Sequence, residues 1–515
     1  MATLLSLLSV QKYRRYDDAR FDLGIMVQVV DNTAHGRFLE VTDVDGRQVS
    51  RLGAHVDPII AVFVVPWLIW PSPAVLLIGQ AILVCLAAWP AYRLGLRILG
   101  DSRAALAGAL ALLVYPSLGY AVLNEFHPVT LAIPLLLFAF LYLDEGRLLA
   151  AAPFLVLAAL CKEEVPLVIA FMGLYFAWRR RSWRPLLITV AAGLYFLVVV
   201  RVVMPHYRVG GSPFVGRYSA YGSSLGQIAR NLVLHPGTTM RGLATRLNAR
   251  YLWQLLWPFG LAPLLSPLTT LIALPEYVLN GLSSVPYQHR ATNHYVSAEV
   301  PLLFAGALFG LARLAGWLGW LRRARTRPVE PLTQVSAQAA APPLTQPPTR
   351  SAQSLAKSPE PAAAQPAEHI PAQPADRPPG RPPARTLAIL AGLLLCAALV
   401  GSYVLGPLPF GLPGAKASPG RYAMTAHAAA IERAIRLVPP GAIVSAQNRI
   451  GSHLSARRVV YLFPYVGNAR YVVVDATGFE LRSRARAVAL ALAQDSRYVP
   501  LFSRDGVTVY RRTAT

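Results

Sequence analysis

"FLVLAALCKEEVPLVIAFMGLYF", Phe154 to Phe176, sets Lys162, Glu163 and Glu164 between two apolar runs, 147–161 and 164–178. Each run falls short of the roughly 20 residues a helix needs to cross a hydrocarbon core. Ionisable groups at such a depth are costly, which makes them functional candidates by default. The stretch reads as a helical hairpin whose polar tip lies near bilayer depth. The plainer alternative is a loop in which Lys162 neutralises one glutamate.

The rest of the chain agrees with a membrane reading. Of 515 residues, 54% are hydrophobic and 14% charged, and mean hydropathy is +0.42. Soluble chains carry about a quarter charged residues, so this is a polytopic, α-helical membrane protein. A formal charge of +24 in a soluble chain would suggest nucleic acid. Here the arginines cluster between apolar runs, which is a topology signal, and no nucleic-acid partner is expected. Cys85, Cys161 and Cys396 lie in apolar stretches without ligand spacing, so neither a disulfide framework nor a zinc site is indicated.

Further apolar runs fall near 73–92, 104–122, 128–143, 185–204, 251–266, 267–283, 299–320 and 386–405, giving about ten candidate spans. Basic clusters at Arg93, Arg97 and Arg103, at Arg147, at Arg179 to Arg184 and at Arg322 to Arg327 mark the cytoplasmic side. The alternate loops are then external: "NEFHP" (124–128), "CKEE" (161–164), 205–250 and "YQHRATNHY" (287–295). "HVDPIIAVFVVPWLIWP" (55–71) has an uncharged core too short to span and is flanked by Trp67 and Trp70, so it reads as interfacial. Residues 13–72 thus form an external loop with an interfacial helix, and 73–323 the multi-span domain. Only "TLLSLLSV" precedes that loop, and an eleventh, N-terminal span is expected ahead of the present start.

Residues 324–385 are rich in Pro, Ala, Gln and Ser and read as a disordered cytoplasmic linker. A last span at 386–405 leads to an external α/β domain, 415–515. In it Met424–Val438 and Glu480–Gln494 have helical spacing. "AIVSAQ", "RVVYLF", "YVVVDA" and the pair "YVPLFS"/"VTVYRR" about Asp505-Gly506 read as strands and a hairpin.

The external positions hold Asp22, Asp31, His35, His55, Asp57, Glu125, His127, Lys162, Glu163, Glu164, Glu276, His289 and His294. Several loops deliver carboxylates or histidines to one membrane face. "HVDP" and "EFHP" pair His with a carboxylate before Pro. Ligand type alone makes His55, Asp57 and Glu164 weak candidates for a divalent metal, which nothing in the sequence requires.

"FDLGIMVQVVDNTAHGRFL", "HVDPI", "NEFHPVTLAIPLLLFAF", "LCKEEVPLVIAFMGLYF" and "NHYVSAEVPLLFAGAL", in that order, resemble the bacterial and archaeal membrane proteins grouped as domain of unknown function 2079. The resemblance covers roughly Arg15 to Trp320 and, through "PGAIVSAQNRIGSHLSARRVVYLFP", the tail. It implies an architecture and no activity. A more distant similarity is to C-class glycosyltransferases, multi-span enzymes that use lipid-phosphate-linked sugars. Asp22, the Pro58–Trp70 segment and Arg93 with Arg97 follow the order of that class's acidic loop, interfacial helix and basic cluster. The paired acidic motif and the first helix of that class are missing.

By that analogy the chain is a cell-membrane glycosyltransferase working on the external face with a polyprenyl-phosphate sugar. Asp22 would be the base. Glu125 and Glu163 would be auxiliary acids or metal ligands, and Lys162, Arg201, Arg208 or His289 would meet the phosphate, with His127, His55 and His294 lining the substrate site. The alternatives are a transporter or lipid flippase coupled through Glu125, Glu163 and Glu164, and a non-catalytic envelope protein. No internal repeat supports the former, and no Walker loop, dinucleotide fingerprint or HExxH sequence appears.

Overall fold

A computed structural model describes residues 1–211, 213–326, 384–408, 425–477 and 483–513. The expected linker lies outside these residues except at its ends, where helix Val300–Thr326 runs three residues into it and helix Ala384–Leu405 begins.

Pro128–Glu145 lies at the centre of the membrane part, with 78% of it buried inside the protein, whereas Leu186–Tyr207 is only 11% buried and turns its Leu and Val side chains outward. An apolar helix left bare in this way has lipid as its natural neighbour. Among the described residues five helices are long and apolar enough to cross a membrane: Pro73–Leu99, Pro128–Glu145, Leu186–Tyr207, Val300–Leu321 and Ala384–Leu405. Ser102–Leu113 and Pro116–Leu123 make a sixth if the 43° bend between them is counted as one broken span.

This is fewer than the ten apolar runs, and proline explains much of the difference. Residues 251–283 contain Pro258, Pro263, Pro267 and Pro275, each of which removes a backbone donor and can start a helical piece but not continue one. The region is accordingly a chain of short pieces from Arg246–Leu256 to Leu274–Leu282. The hairpin runs of the opening stretch are helices of 12 and 16 residues, Leu148–Ala159 and Val165–Arg180, with Cys161 to Glu164 as their tip.

The N-terminal residues are not a loose tail. Ala2–Arg14 is a helix that buries Leu5 and Leu8 against Pro73–Cys85. Arg20–Gly24 then makes a π-helical turn leading into helix Ile25–Ala34, and strands β1 (Glu40–Thr42) and β2 (Gln48–Ser50) pair antiparallel. Pro58–Ile69 is helical. It buries Ile59, Ile60, Phe63 and Trp67 and exposes Val62, Val65, Leu68 and Ile69, so both of its faces are apolar.

The C-terminal part is a five-stranded mixed sheet, β4-β3-β5-β7-β6, from β3 (Val444–Ala446), β4 (Val460–Leu462), β5 (Tyr471–Asp475), β6 (Tyr498–Arg504) and β7 (Val507–Arg512). β3 runs parallel to β4 and β5, while β7 is antiparallel to β5 and β6. The two-residue alternation of a strand sends Tyr471 and Val473 toward helix Ala426–Ile435, and Val472 and Val474 toward helix Ser483–Gln494. Asp505 and Gly506, at φ 51° and 81°, supply the left-handed pair that a tight hairpin turn requires.

Candidate functional site

A cavity of about 640 Å³ opens where Pro128–Glu145 begins, lined among others by Asp22, Glu125, His127, Lys162, His55 and His294. Five separate stretches of sequence, with Glu125 and His127 on one of them, therefore meet in it. The stretch that carries Glu125 and His127 is held by Gln80, fully buried in the otherwise apolar helix Pro73–Cys85. Its amide nitrogen donates to the Val122 and Glu125 carbonyls, and its oxygen accepts from the His127 backbone and the Thr130 hydroxyl. Four hydrogen bonds on the "EFHP" loop and its flanks thus converge on one amide. Glu125 sits at φ 67°, an uncommon left-handed conformation for a non-glycine residue.

Asp22 lies in the π turn and faces the cavity with its side chain 48% exposed. His127 Nε2 is 3.4 Å from Asp22 Oδ1, and neither ring nitrogen of His127 has a full hydrogen bond. Burial by itself would raise the Asp22 carboxyl. The His127 ring outweighs it, with Lys12 and Arg51 adding, and holds Asp22 below the usual carboxylate range. Glu125 goes the opposite way. Burial, then the negative charge of Asp18, pushes it up to about 8, against the pull of Lys12 and of the Leu23 N–H that donates to Oε2 at 2.9 Å. Two carboxyls on one wall are pushed apart, one toward the ionised and one toward the neutral form. His294 stacks on His127 at 3.5 Å between ring centroids, and burial, reinforced by His127, keeps it far below an ordinary imidazole.

Positive charge lines the same space. Lys12 pairs with buried Asp18 at 2.6 Å, and Arg51 grips Asp57 through two nitrogens. Lys162 pairs with Glu164 and stands 5.0 Å over the Tyr295 ring. Burial would lower its ammonium, but Glu164 and Glu163 more than compensate and keep it protonated.

Several expected site residues lie elsewhere. Glu163 is buried behind the wall, accepting from the Val56 N–H at 3.1 Å and sitting 2.8 Å from His55 Nδ1, so it positions His55 and does not line the cavity. Burial would raise Glu163, but His55 and Lys162 hold it low. His289 uses both ring nitrogens, on Asn248 and the Ser283 carbonyl, beside a different cavity. Arg201 and Arg208 line another cavity, of about 620 Å³, at the end of the outward-facing helix. The three weak metal candidates are separately engaged, Asp57 with Arg51, His55 with Glu163 and Glu164 with Lys162, and no group of three or more His, Cys, Asp or Glu side chains among the described residues could hold a metal ion. Asp31 and His35 pair with each other, and Glu276 is buried away from the cavity.

Lys12, Arg51 and Gln80 also belong to this site and are not among the residues expected from the sequence. Gln80 left a signal, as a lone amide inside an apolar run. Lys12 and Arg51 left none, because nothing in local sequence distinguishes them from other loop cations.

No curated protein matches the chain by sequence. Among solved structures, the crystal structure of ArnT from Cupriavidus metallidurans in the apo state aligns over 99% of this chain and 96% of that one, at 13% identity and a TM-score of 0.45. The family described as predicted membrane protein (DUF2079) matches residues 15–373. With well over half its length inside that match, the chain belongs to this family of membrane proteins.

Proposed function

We propose that the cavity transfers a sugar from a polyprenyl-phosphate donor to an acceptor hydroxyl, on the external face of the membrane. The observation that carries this reading is the meeting of Asp22, Glu125 and His127 on one cavity whose lining also holds Lys12, Arg51 and Lys162, and the opposite directions in which Asp22 and Glu125 are pushed agree with it. Asp22, ionised and in contact with His127, takes the acceptor proton as its oxygen bonds to the anomeric carbon. The bond from that carbon to the phosphate oxygen breaks, and the lipid phosphate leaves with the electron pair. Lys12, Arg51 and Lys162 stabilise the negative charge that grows on it, and neutral Glu125 donates a hydrogen bond. The outward-facing apolar helices supply the surface along which a lipid chain lies, and the order of acidic loop, interfacial helix and basic cluster in the sequence is that of C-class enzymes.

The test is transfer from polyprenyl-phosphate sugars by the full chain in lipid nanodiscs. Asp22→Asn keeps the size and removes the base, so turnover should fall by about two to four orders of magnitude with folding unchanged. A structural Asp22 tolerates Asn, and undiminished turnover in that variant would end the catalytic assignment.

A further inference from the structure

The C-terminal sheet domain holds the segment that carries Asp22 on both sides of that residue. Arg20, 1% exposed, donates from Nη2 to the Thr42 carbonyl at 2.7 Å and to the Val460 carbonyl of β4 at 2.8 Å. Asn448 Oδ1 accepts from the Phe21 N–H at 3.0 Å, and the Ser452 hydroxyl donates to the Asp18 carbonyl at 3.0 Å. His453 is sandwiched between Tyr13 and Tyr16, each ring centroid 3.9 Å away, with Nε2 2.9 Å from the Tyr13 carbonyl. Further on, the Gln28 amide donates to the Arg458 carbonyl at 2.7 Å.

The approach is close enough to require small residues. A Cβ on Gly24 would stand 2.8 Å from Ser455 Oγ, and one on Gly451 would stand 3.1 Å from the Arg20 side chain. Residues 18, 20, 21 and 24 are thus held by a domain more than 400 positions later in the chain. Residues 22 and 23 are left to meet His127 and Glu125. A π turn is a wide, weakly favoured helix with one residue too many per turn. Its own backbone bonds, such as that from the Gly24 N–H to the Ala19 carbonyl at 3.0 Å, close the turn, and its placement against the cavity falls to contacts from elsewhere in the fold.

The geometry points to a clamp: the C-terminal domain, through Arg20 and Asn448 as positioning residues, fixes the π turn so that the Asp22 carboxylate stands beside His127. The functional weight of this clamp rests on the role proposed for Asp22. The clamp itself is a statement about the resting protein and is measured without substrate.

The experiment is hydrogen exchange on the full chain in nanodiscs, followed at the amides of residues 19–24. Arg20→Met and, separately, Asn448→Leu should speed exchange there about tenfold, the equilibrium weight of one well-made hydrogen bond in local opening. Exchange in Pro128–Glu145 should be unchanged, which shows the membrane part intact. Asn448→Asp keeps an acceptor for the Phe21 N–H and should restore the slow rate. As a second readout, Asp22→Cys in a background with Cys85, Cys161 and Cys396 replaced should react with an impermeant maleimide about tenfold faster once Asn448→Leu is added. Unaltered exchange at 19–24 and unaltered labelling in the variants would overturn the clamp. Should Arg20→Met unfold, the Asn448 pair decides alone. Faster exchange in a protein that never transfers a sugar sinks the catalytic reading and leaves the clamp, and wild-type exchange in variants of an active enzyme does the reverse.

Discussion

The two ends of one helix carry charge in opposite ways. Pro128–Glu145, 18 residues or about 27 Å long, begins at Glu125 and His127 and ends at Asp144. At the far end Arg97 Nε meets Asp144 Oδ2 at 2.6 Å and Arg179 Nη2 meets Oδ1 at 3.0 Å. Arg97 and Arg180 also donate to the Asp144 carbonyl, and Arg180 to that of Leu143. Both carboxylate oxygens and the backbone there are occupied, and no cavity among those described opens on them. At the near end His127 has two ring nitrogens without a full hydrogen bond, and Asp22 is half-exposed to a 640 Å³ space. Charge whose bonding capacity is filled by the protein holds the protein together. Charge left facing a cavity has that capacity available for something that enters. Both ends gather several ionisable residues, so saturation tells them apart.

The largest difference is expected between Asp22 and Asp144. Asp22→Asn should lower sugar transfer by about two to four orders of magnitude at unchanged stability. Asp144→Asn should leave the rate per folded molecule alone and lower stability by about 1–3 kcal/mol, the cost of stranding charged donors, reduced because Arg97 and Arg179 remain partly in solvent. Thermal unfolding and turnover on the same two preparations check both, and a transfer defect in folded Asp144→Asn would remove the distinction.

Glu125 gives the next effect. In the folded chain it keeps its proton up to about 8, against an ordinary 4.5. Between those values the folded state binds more protons than the unfolded, so stability is greatest below 4.5, falls as pH rises through the window and levels off above it. Glu125→Gln should flatten that decline and raise the melting temperature near pH 8 by at least about 2–4 °C. Melting curves from pH 4.5 to 8.5 read it, and an equal decline in the variant would mean that another group carries the slope. The same proton gives the activity an alkaline limb near 8 that Glu125→Gln should abolish.

The smallest effect sharpens the far end. Arg147 pairs with Glu145 at 3.2 Å with its side chain 61% exposed, and Arg147→Gln should change stability by less than about 0.5 kcal/mol. A loss as large as that of Asp144→Asn would show that proximity to the helix end, and not saturation, sets the cost.

The membrane character, the central apolar helix near 128–143, the apolar helix near 386–405 and the strands and hairpin of the C-terminal domain were legible in the residues, because hydropathy and the two-residue and 3.6-residue periods act within a few turns of chain. Asp22, Glu125, His127 and Lys162 were also legible as chemistry, since polar groups beside apolar runs are expensive. The short helical pieces at 251–283 needed proline read against span length, and hydropathy alone overcounted there. Which candidates meet was decided by tertiary structure. Glu163 and His289 look as reactive in sequence as Glu125 and His127, but their bonding atoms are taken by His55 and Val56 and by Asn248 and Ser283. The docking of Asn448 on Phe21 joins residues far apart in the chain. Lys12 and Arg51 pair only six positions away, with Asp18 and Asp57, but it is the fold that brings them to the cavity beside Glu125 and His127, and no local pattern records that. The sequence by itself determined where charge had to be compensated. Only the fold decided which charges are compensated by the protein and which face the cavity, because that depends on partners brought together from up to 440 positions away, as with Arg20 and the Val460 carbonyl.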